Sequence, residues 1–436
     1  MLARKIAIVG AGSAGLAVLR QFCVPTIHNQ QEKDEYRFEV TCFEQLSDVG
    51  GLWIYSDVIT DVNHPVGSQY TAVYKSLITN LPHQIMAFTD FPFPKELPTY
   101  VGHEVVKDYL QSYSDHFNLK QFIQFNTRVI DIKPQIVIGH DDIWSVSVEN
   151  VHSKIITKHT FDAIVICNGH FSTPNYPRIE NLDKFSGKLE HSMVYRNAED
   201  YKNKRVLIIG GGPSGVDIAS EVCQFAEKSN NPQSVENDLK TTLTISDKAP
   251  PSTAHLTQNP NVRSIDNIDC IICCTGYLYS YPFLGSDSGV AVLGPAHVGP
   301  LYKDLISVRR PSLAFPGLQS SIIPFPLTEC QAKFLKAHLS GKVKFPKTGK
   351  ELDEVLSRDV EAKRASGVNI ESDPHRTGVW QWQYMNELAA LAGFEPPPSY
   401  YPALHAAVIK DRKESLQNYK SKEYKINEDG TFYEVL

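Results

Sequence analysis

The 436-residue chain contains no run of about 18 consecutive apolar residues, the length a membrane-spanning helix needs. A basic excess is missing as well. Its 43 Lys and Arg stand against 49 Asp and Glu, a formal net charge of −6, which excludes nucleic acid as the main partner. The eight cysteines are too few and too unevenly spaced for a disulfide framework, so reduced thiols are expected. There is no N-x-S/T sequon. These absences point to a soluble, cytoplasmic protein, with secretion left open should a signal peptide have been removed. Gly and Pro, 26 and 27 residues, are at ordinary levels, which argues against collagen-like or low-complexity classes. The sequence also offers no metal-ligand cluster, catalytic triad or nucleophile elbow.

What is present is a glycine fingerprint, twice. Lys5 to Val9 reads as a buried strand that runs into GAGSAG, with Gly10, Gly12 and Gly15 in G-x-G-x-x-G register and a helix from Leu16 to Cys23. Gly10 makes the tight turn, Gly12 lets the backbone approach a pyrophosphate, and Gly15 lets helix and strand pack closely. The helix N-terminus then offers free N–H groups to the anion. A polar insertion over 26–36 separates this helix from a second strand, Phe38 to Phe43. That strand ends in Glu44, whose carboxylate suits the ribose hydroxyls of an adenosine.

The second copy begins with a strand from Arg205 to Ile209, then GGGPSG with Gly210, Gly212 and Gly215, then a helix from Val216 to Lys228. Thr241 to Ile245 reads as its second strand, ending in Ser246, Asp247 and Lys248. A hydroxyl and a cation flanking the acid suit a 2′-phosphate and favour NADPH over NADH, with Arg263 a second cationic candidate. Two further strands match each other, FDAIVICNG at 161–169 and IDCIICCTGY at 268–277. The Gly- and Pro-rich stretches after them are where the chain would cross between units. The expected fold is α/β with two Rossmann-like domains, the second inserted into a discontinuous first: 1–170, 171–275 and 276–436. Cys270 and Cys273 form a CxxC, but three apart on one strand they would face opposite ways and be buried thiols. Trp380, Trp382 and Tyr384 alternate at period two, or else sit on an irregular packing segment.

With these motifs in view the chain resembles the flavin-containing monooxygenases, class B flavoproteins with FAD and NADPH domains. FSGKLEHSMVYR carries the signature F-x-G-x-x-x-H-x-x-x-Y through Phe185, Gly187, His191 and Tyr195, and Tyr195 with Arg196 stands where Baeyer–Villiger enzymes have Trp and Pro. Further matches are DVGGLW at 48–53, SLITNLPHQIMAFTDFPFP at 76–94 and CTGY at 274–277. The resemblance implies that Gly10, Ala11, Gly12, Ser13, Ala14, Gly15, Glu44, Gln45, Gly51, Leu52, Trp53, Val129 and Gln319 hold FAD. It places Thr79, Asn80 and Leu81 at the flavin and nicotinamide ribose. Gly210, Gly212, Pro213, Ser214, Gly215, Val216 and Asp217, with Ser246 and Lys248, would take NADPH.

The chemistry it implies is oxygenation of a soft nucleophile, a tertiary amine or a sulfide, by O2 through a C4a-hydroperoxyflavin. Asn80 is the implied catalytic residue, since an amide donates and accepts while uncharged; that it only serves backbone groups before Pro82 is the alternative. His191 is expected to be structural. The chain ends in the polar NEDGTFYEVL, so no membrane anchor is expected, and the pattern is that of the shorter insect, fungal and plant members, an insect alkaloid N-oxygenase among them. A homo-oligomer remains open. Alternatives are a Baeyer–Villiger enzyme, a disulfide reductase, and a nucleotide-binding redox sensor without turnover.

Overall fold

The computed structural model describes residues 3–24, 38–57, 71–135, 143–226, 267–346, 349–416, 418–427 and 429–435, and the backbone of 228–230, 243–245, 254–256 and 264–265. The polar insertion over 26–36 lies outside the described residues, as do Ser246, Asp247, Lys248 and Arg263. The chain divides into two units, Met1–Ile54, Ile78–His170 and Tyr279–Leu436 forming one, Tyr55–Leu77 and Phe171–Leu278 the other.

The first unit begins with β1 (Arg4–Val9), α1 (Ser13–Cys23), β2 (Phe38–Phe43), α2 (His103–His116) and β3 (Ile123–Gln124). An antiparallel layer follows, β4 (Thr127–Gln135), β5 (Ile143–Asn150) and β6 (Ile156–Phe161), and then β7 (Ala163–Ile166). β1 pairs in parallel with β2 on one side and β7 on the other, so Val9, Phe43 and Ile166 lie in register at the carboxyl ends. The apolar runs of β1 and β7 reflect burial on both faces. Ile6, Ile8 and Val165 enter one core cluster, with α1; Ala7, Val9, Ile164 and Ile166 enter another, with the β4–β6 layer.

The second unit contains β8 (Thr173–Pro174), β9 (Lys188–His191), β10 (Arg205–Ile209), α3 (Pro213–Val222) and β11 (Lys228–Asn230). It continues with β12 (Leu243–Ile245), β13 (Ala254–Leu256), β14 (Ser264–Ile265), β15 (Cys270–Cys273) and β16 (Tyr277–Leu278). Its parallel sheet has the order β11-β10-β15-β9. Two expectations are corrected here. The helix ends at Val222 rather than Lys228, and the strand beside β10 is 228–230 rather than 241–245. The chain leaves α3 and turns back at once to pair Arg205 with Lys228. The 243–245 segment instead joins β13 and β14 in a separate antiparallel sheet. The polar Lys-Ser-Asn of β11 has no hydrophobic pattern to announce a strand.

The expected boundaries lie near 170 and 275; the units change over at 170/171, just before β8, and at 278/279, just after its antiparallel partner β16. The described residues 55–57 and 71–77, expected in the first domain, pack with the second unit instead. Buried Arg196 explains this. Its Nε donates to the Ser56 carbonyl at 2.8 Å and its guanidinium to the carbonyls of Thr71, Met193 and Tyr195. Truncating it removes four hydrogen bonds of a buried guanidinium, so Arg196→Ala is expected to cost about 3 kcal/mol or more and to lower the melting temperature of the second unit by roughly 10 °C, read by thermal denaturation.

The returning part of the first unit holds β17 (Ala291–Gly294), β18 (His297–Gly299), β19 (Leu301–Tyr302), β20 (Ile306–Ser307) and β21 (Leu313–Ala314). Then come α4 (Pro324–Leu339), α5 (Gly349–Ala365), α6 (Gln381–Ala392), α7 (Tyr401–Glu414) and the hairpin β22 (Glu423–Ile426) and β23 (Phe432–Val435). β21 joins β7 in parallel and completes the seven-stranded sheet β19-β20-β21-β7-β1-β2-β3. Trp382 and Tyr384 lie on α6, an ordered helix, with Trp380 immediately before it; they belong neither to a strand nor to an irregular segment.

Candidate functional site

In the first unit the turn after β1 is built so that only glycine fits. Gly10 has φ +101°, and a Cβ there would sit 2.6 Å from the Cys167 carbonyl oxygen, in the loop after β7. A Cβ on Gly15 would come within 2.0 Å of the Gly10 carbonyl oxygen, which measures how closely α1 packs on the turn. Gly12 is the N-cap of α1 and supplies no side-chain cap, so the first-turn N–H groups of an 11-residue helix stay open to an anion. Opposite lies the Gly50–Trp53 turn. Gly51 has φ +53°, and its Cβ would meet Gly12 Cα at 2.9 Å. The two bare backbones make a cradle that any side chain would fill.

Glu44 is buried beside this cradle. Its Oε2 accepts from Ala11 N–H at 2.6 Å and its Oε1 from Leu46 N–H at 2.8 Å. Burial pushes its pKa up, and these backbone N–H groups pull against that. A carboxylate has about four acceptor positions, so capacity for ribose hydroxyls remains. Gln45, Leu52 and Trp53 are half-buried next to it. Asp48, which the sequence reading passed over, anchors the turn to α2 through Lys107 at 2.8 Å and through Gln111.

Thr79 is pinned by a two-way pairing with Val101, N–H to carbonyl at 2.9 Å and N–H to Oγ1 at 3.1 Å. Beside it Asn80 is half-buried, and among the described residues its amide makes no hydrogen bond. Leu81 packs on the main core. Two expected FAD residues turn away from solvent. The Val129 side chain sits in the core cluster under the sheet, leaving only its backbone for a ligand, and Gln319 is buried in a hydrogen-bond network.

The second unit repeats the design. Gly210 has φ +121°, with a Cβ position 2.2 Å from the Cys274 carbonyl oxygen, and Gly215 again meets its strand-end carbonyl, that of Gly210, at 2.0 Å. Gly212 caps α3 without a side-chain bond, Pro213 opens the helix, and a Cβ on Gly212 would meet nothing within 4 Å among the described residues. That open space over a helix N-terminus is room for a pyrophosphate. Ser214, Val216 and Asp217 are half-buried on the first turns, Asp217 accepting from Tyr74 Oη at 3.1 Å.

The signature residues of 185–195 hold this unit together. A Cβ on Gly187 would lie 2.5 Å from the Asp269 carbonyl oxygen, and Tyr195 donates to Glu221 on α3 at 2.7 Å. His191 Nε2 lies 2.9 Å from the Gly276 carbonyl, while its Nδ1 accepts from Met193 N–H. That pairing defines a neutral tautomer, and burial brings its pKa down to about 4. His170 of the first unit is lowered to about 4 for the same reason. Because the unfolded chain binds these protons nearer 6.5, the stability both rings contribute is complete above about pH 6.5 and is lost as pH falls toward 4. Denaturant titrations across that window should show it, and His191→Asn should remove the His191 share of the dependence while the His170 share persists.

All eight cysteines are free thiols. Cys270 and Cys273 enter different core clusters on opposite faces of the sheet, and burial pushes both up to about 12. They are not placed to form a dithiol pair. No helix among the described residues is long and apolar enough to cross a membrane.

The pattern of the flavin-binding monooxygenase-like family matches residues 3–231 and 252–419, most of the chain. The chain belongs to that family. Its cofactors are accordingly FAD and NADPH. The flavin-containing monooxygenase FMO GS-OX-like 2 of Arabidopsis thaliana is 31% identical, covering 88% of this chain and 84% of its own. Senecionine N-oxygenase of Tyria jacobaeae is 27% identical over 99% of this chain and 91% of its own. Among solved structures, S-allyl-L-cysteine S-oxygenase from Allium sativum superimposes with a TM-score of 0.82 at 29% identity, covering 97% of this chain and 96% of that one. The glycine cradles therefore sit in a flavin monooxygenase.

Proposed function

We propose that this flavin monooxygenase oxygenates soft nucleophiles, tertiary amines of the alkaloid type or sulfides, using NADPH and O2 by way of a C4a-hydroperoxyflavin. The observation that carries the reading is the pair of glycine-capped helices, α1 and α3, each opening at the carboxyl ends of parallel strands in its own unit. The first would hold FAD through the 10–15 turn, Glu44 and the 51–53 turn; the second would hold NADPH through 210–217. Two relatives support the substrate class, one named for N-oxygenation of senecionine and the other for S-oxygenation of S-allyl-L-cysteine.

Bound FAD supplies the oxygen activation once NADPH has reduced it. The chain's own part is to bind, orient and shield. Gly12 and Gly51 admit the pyrophosphate, Glu44 orients the ribose, and Asn80 presents an uncharged amide that can donate to one oxygen and accept from another. Stopped-flow mixing of the NADPH-reduced protein with oxygen tests the reading. A hydroperoxyflavin absorbance band is expected, and its absence would overturn the proposal. If the substrate is an amine, its free lone pair is the nucleophile, so the oxygenation rate should rise with pH toward the amine's own pKa; initial rates of N-oxide formation from pH 6 to 9 check this.

A further inference from the structure

We infer that Gln331 and Tyr384 are positioning residues for FAD, and that Gln319 acts through them rather than by touching the cofactor. This rests on the reading of α1 as the FAD-binding helix. The chain after β21 turns at Gly317, φ +79°, and a Cβ there would lie 3.4 Å from the Ala14 Cβ in the first turn of α1. The turn thus borders the helix end whose open N–H groups would take the pyrophosphate.

What holds that turn is a closed set of buried hydrogen bonds. Gln331 Oε1 accepts from Gly317 N–H at 2.8 Å. Gln331 Nε2 donates to Gln319 Oε1 at 2.8 Å and to Tyr384 Oη at 2.9 Å. Gln319 Nε2 donates to Tyr384 Oη at 3.2 Å and reaches the Asp304 carbonyl at 3.4 Å, and Tyr384 Oη donates to the Lys303 carbonyl at 2.8 Å. Gln319, Gln331 and Tyr384 are at most 1% exposed. Each amide N–H and the hydroxyl has an acceptor, the Tyr384 oxygen taking one N–H from each glutamine, and flipping the Gln331 amide would set an NH2 against the Gly317 N–H. The network therefore has one orientation.

Its far side is equally constrained. Lys303 and Asp304 form the β19–β20 turn with φ +56° and +47°, a left-handed conformation that non-glycine residues adopt only where their surroundings hold it. Both side chains are tied down, Lys303 by ion pairs to Asp359 at 2.9 Å and Glu387 at 2.7 Å, Asp304 by an ion pair to Lys363 at 2.5 Å and a hydrogen-bond contact with His375 Nδ1 at 3.1 Å. Apolar packing alone would join α4 and α6. The amides and hydroxyl add a fixed direction for the Gly317 backbone, the part of the network that meets Ala14.

The test uses full-length holoenzyme. FAD release on dilution is followed by recovery of flavin fluorescence, and NADP+ binding by calorimetry. Tyr384→Phe and Gln331→Leu should each weaken FAD binding about tenfold, the equivalent of ~1.4 kcal/mol, with NADP+ affinity within about twofold of the wild type. Unchanged FAD affinity in the folded variants overturns the inference. Equal loss of both cofactors marks general destabilisation and overturns it too. Gly12→Val separates the underlying reading: if that variant keeps FAD as tightly as the wild type, the assignment of α1 fails rather than the network alone. Should the network variants not fold, hydrogen exchange on the wild type decides. Amides of 315–320 must exchange more slowly with FAD bound than after its removal, and no difference refutes the positioning role.

Discussion

Replacing Asn80 by Ala is expected to leave FAD bound while diverting the electrons of NADPH to H2O2, so that oxygenated product per NADPH collapses. The side chain is half-buried and its amide makes no hydrogen bond among the described residues. Its removal breaks no fold contact of that kind. The backbone around it is held independently, through the pairing of Thr79 with Val101 and of His83 N–H with the Thr99 carbonyl at 2.9 Å. A neutral amide on a fixed backbone is a preorganised donor, and loss of one such donor typically costs about a hundredfold in the step it serves. Oxygenation should therefore slow by about that factor while flavin reduction continues. Parallel measurement of NADPH consumption, product and peroxide checks this, and a variant that stays tightly coupled would remove Asn80 from the chemistry.

Gly212→Val should be just as damaging, and for a cleaner reason. Among the described residues a Cβ at Gly212 meets no atom within 4 Å, and its φ of −72° is open to any residue, so the fold should tolerate the side chain. The space it enters is the one reserved here for the NADPH pyrophosphate. The expected result is a rise of about a hundredfold or more in the KM for NADPH, with FAD content and melting temperature unchanged, since a blocked contact with a phosphate forfeits several charge-assisted bonds at the helix N-terminus. Gly215→Val makes the contrast. Its Cβ would lie 2.0 Å from the Gly210 carbonyl oxygen, so that variant should lose the fold of the unit together with the cofactor. Should Gly212→Val bind NADPH normally, α3 is not the phosphate-binding helix.

Much of this site was legible from residue order. Glycine in fixed register after an apolar strand is a local signal: the turn, the positive φ and the strand-to-helix packing all fall within six residues, and the structure builds both turns from those residues. The opposed faces of Cys270 and Cys273 follow from the two-residue period of a strand in the same way. Other features left no local trace. β11 is polar and three residues long, and pairs as a strand only because β10 lies beside it. Residues 55–57 and 71–77 join the second unit through partners more than a hundred residues away in sequence: the Arg196 guanidinium collects the Ser56 and Thr71 carbonyls, and Tyr74 and Ser76 donate to Asp217 and Glu221 on α3. Gln319 looked like a residue facing a cofactor, yet its amide is consumed by partners from α4 and α6.

By itself, then, the sequence determined the class of the protein, its two dinucleotide fingerprints and their order along the chain, because each is encoded within one strand, turn and helix. Tertiary structure alone decided which segments complete each unit, which strand flanks β10, and whether a polar side chain has hydrogen-bond partners among the described residues, as Gln319 does and Asn80 does not. Those outcomes depend on hydrogen-bond partners and burial supplied by residues distant in sequence, which no local pattern records.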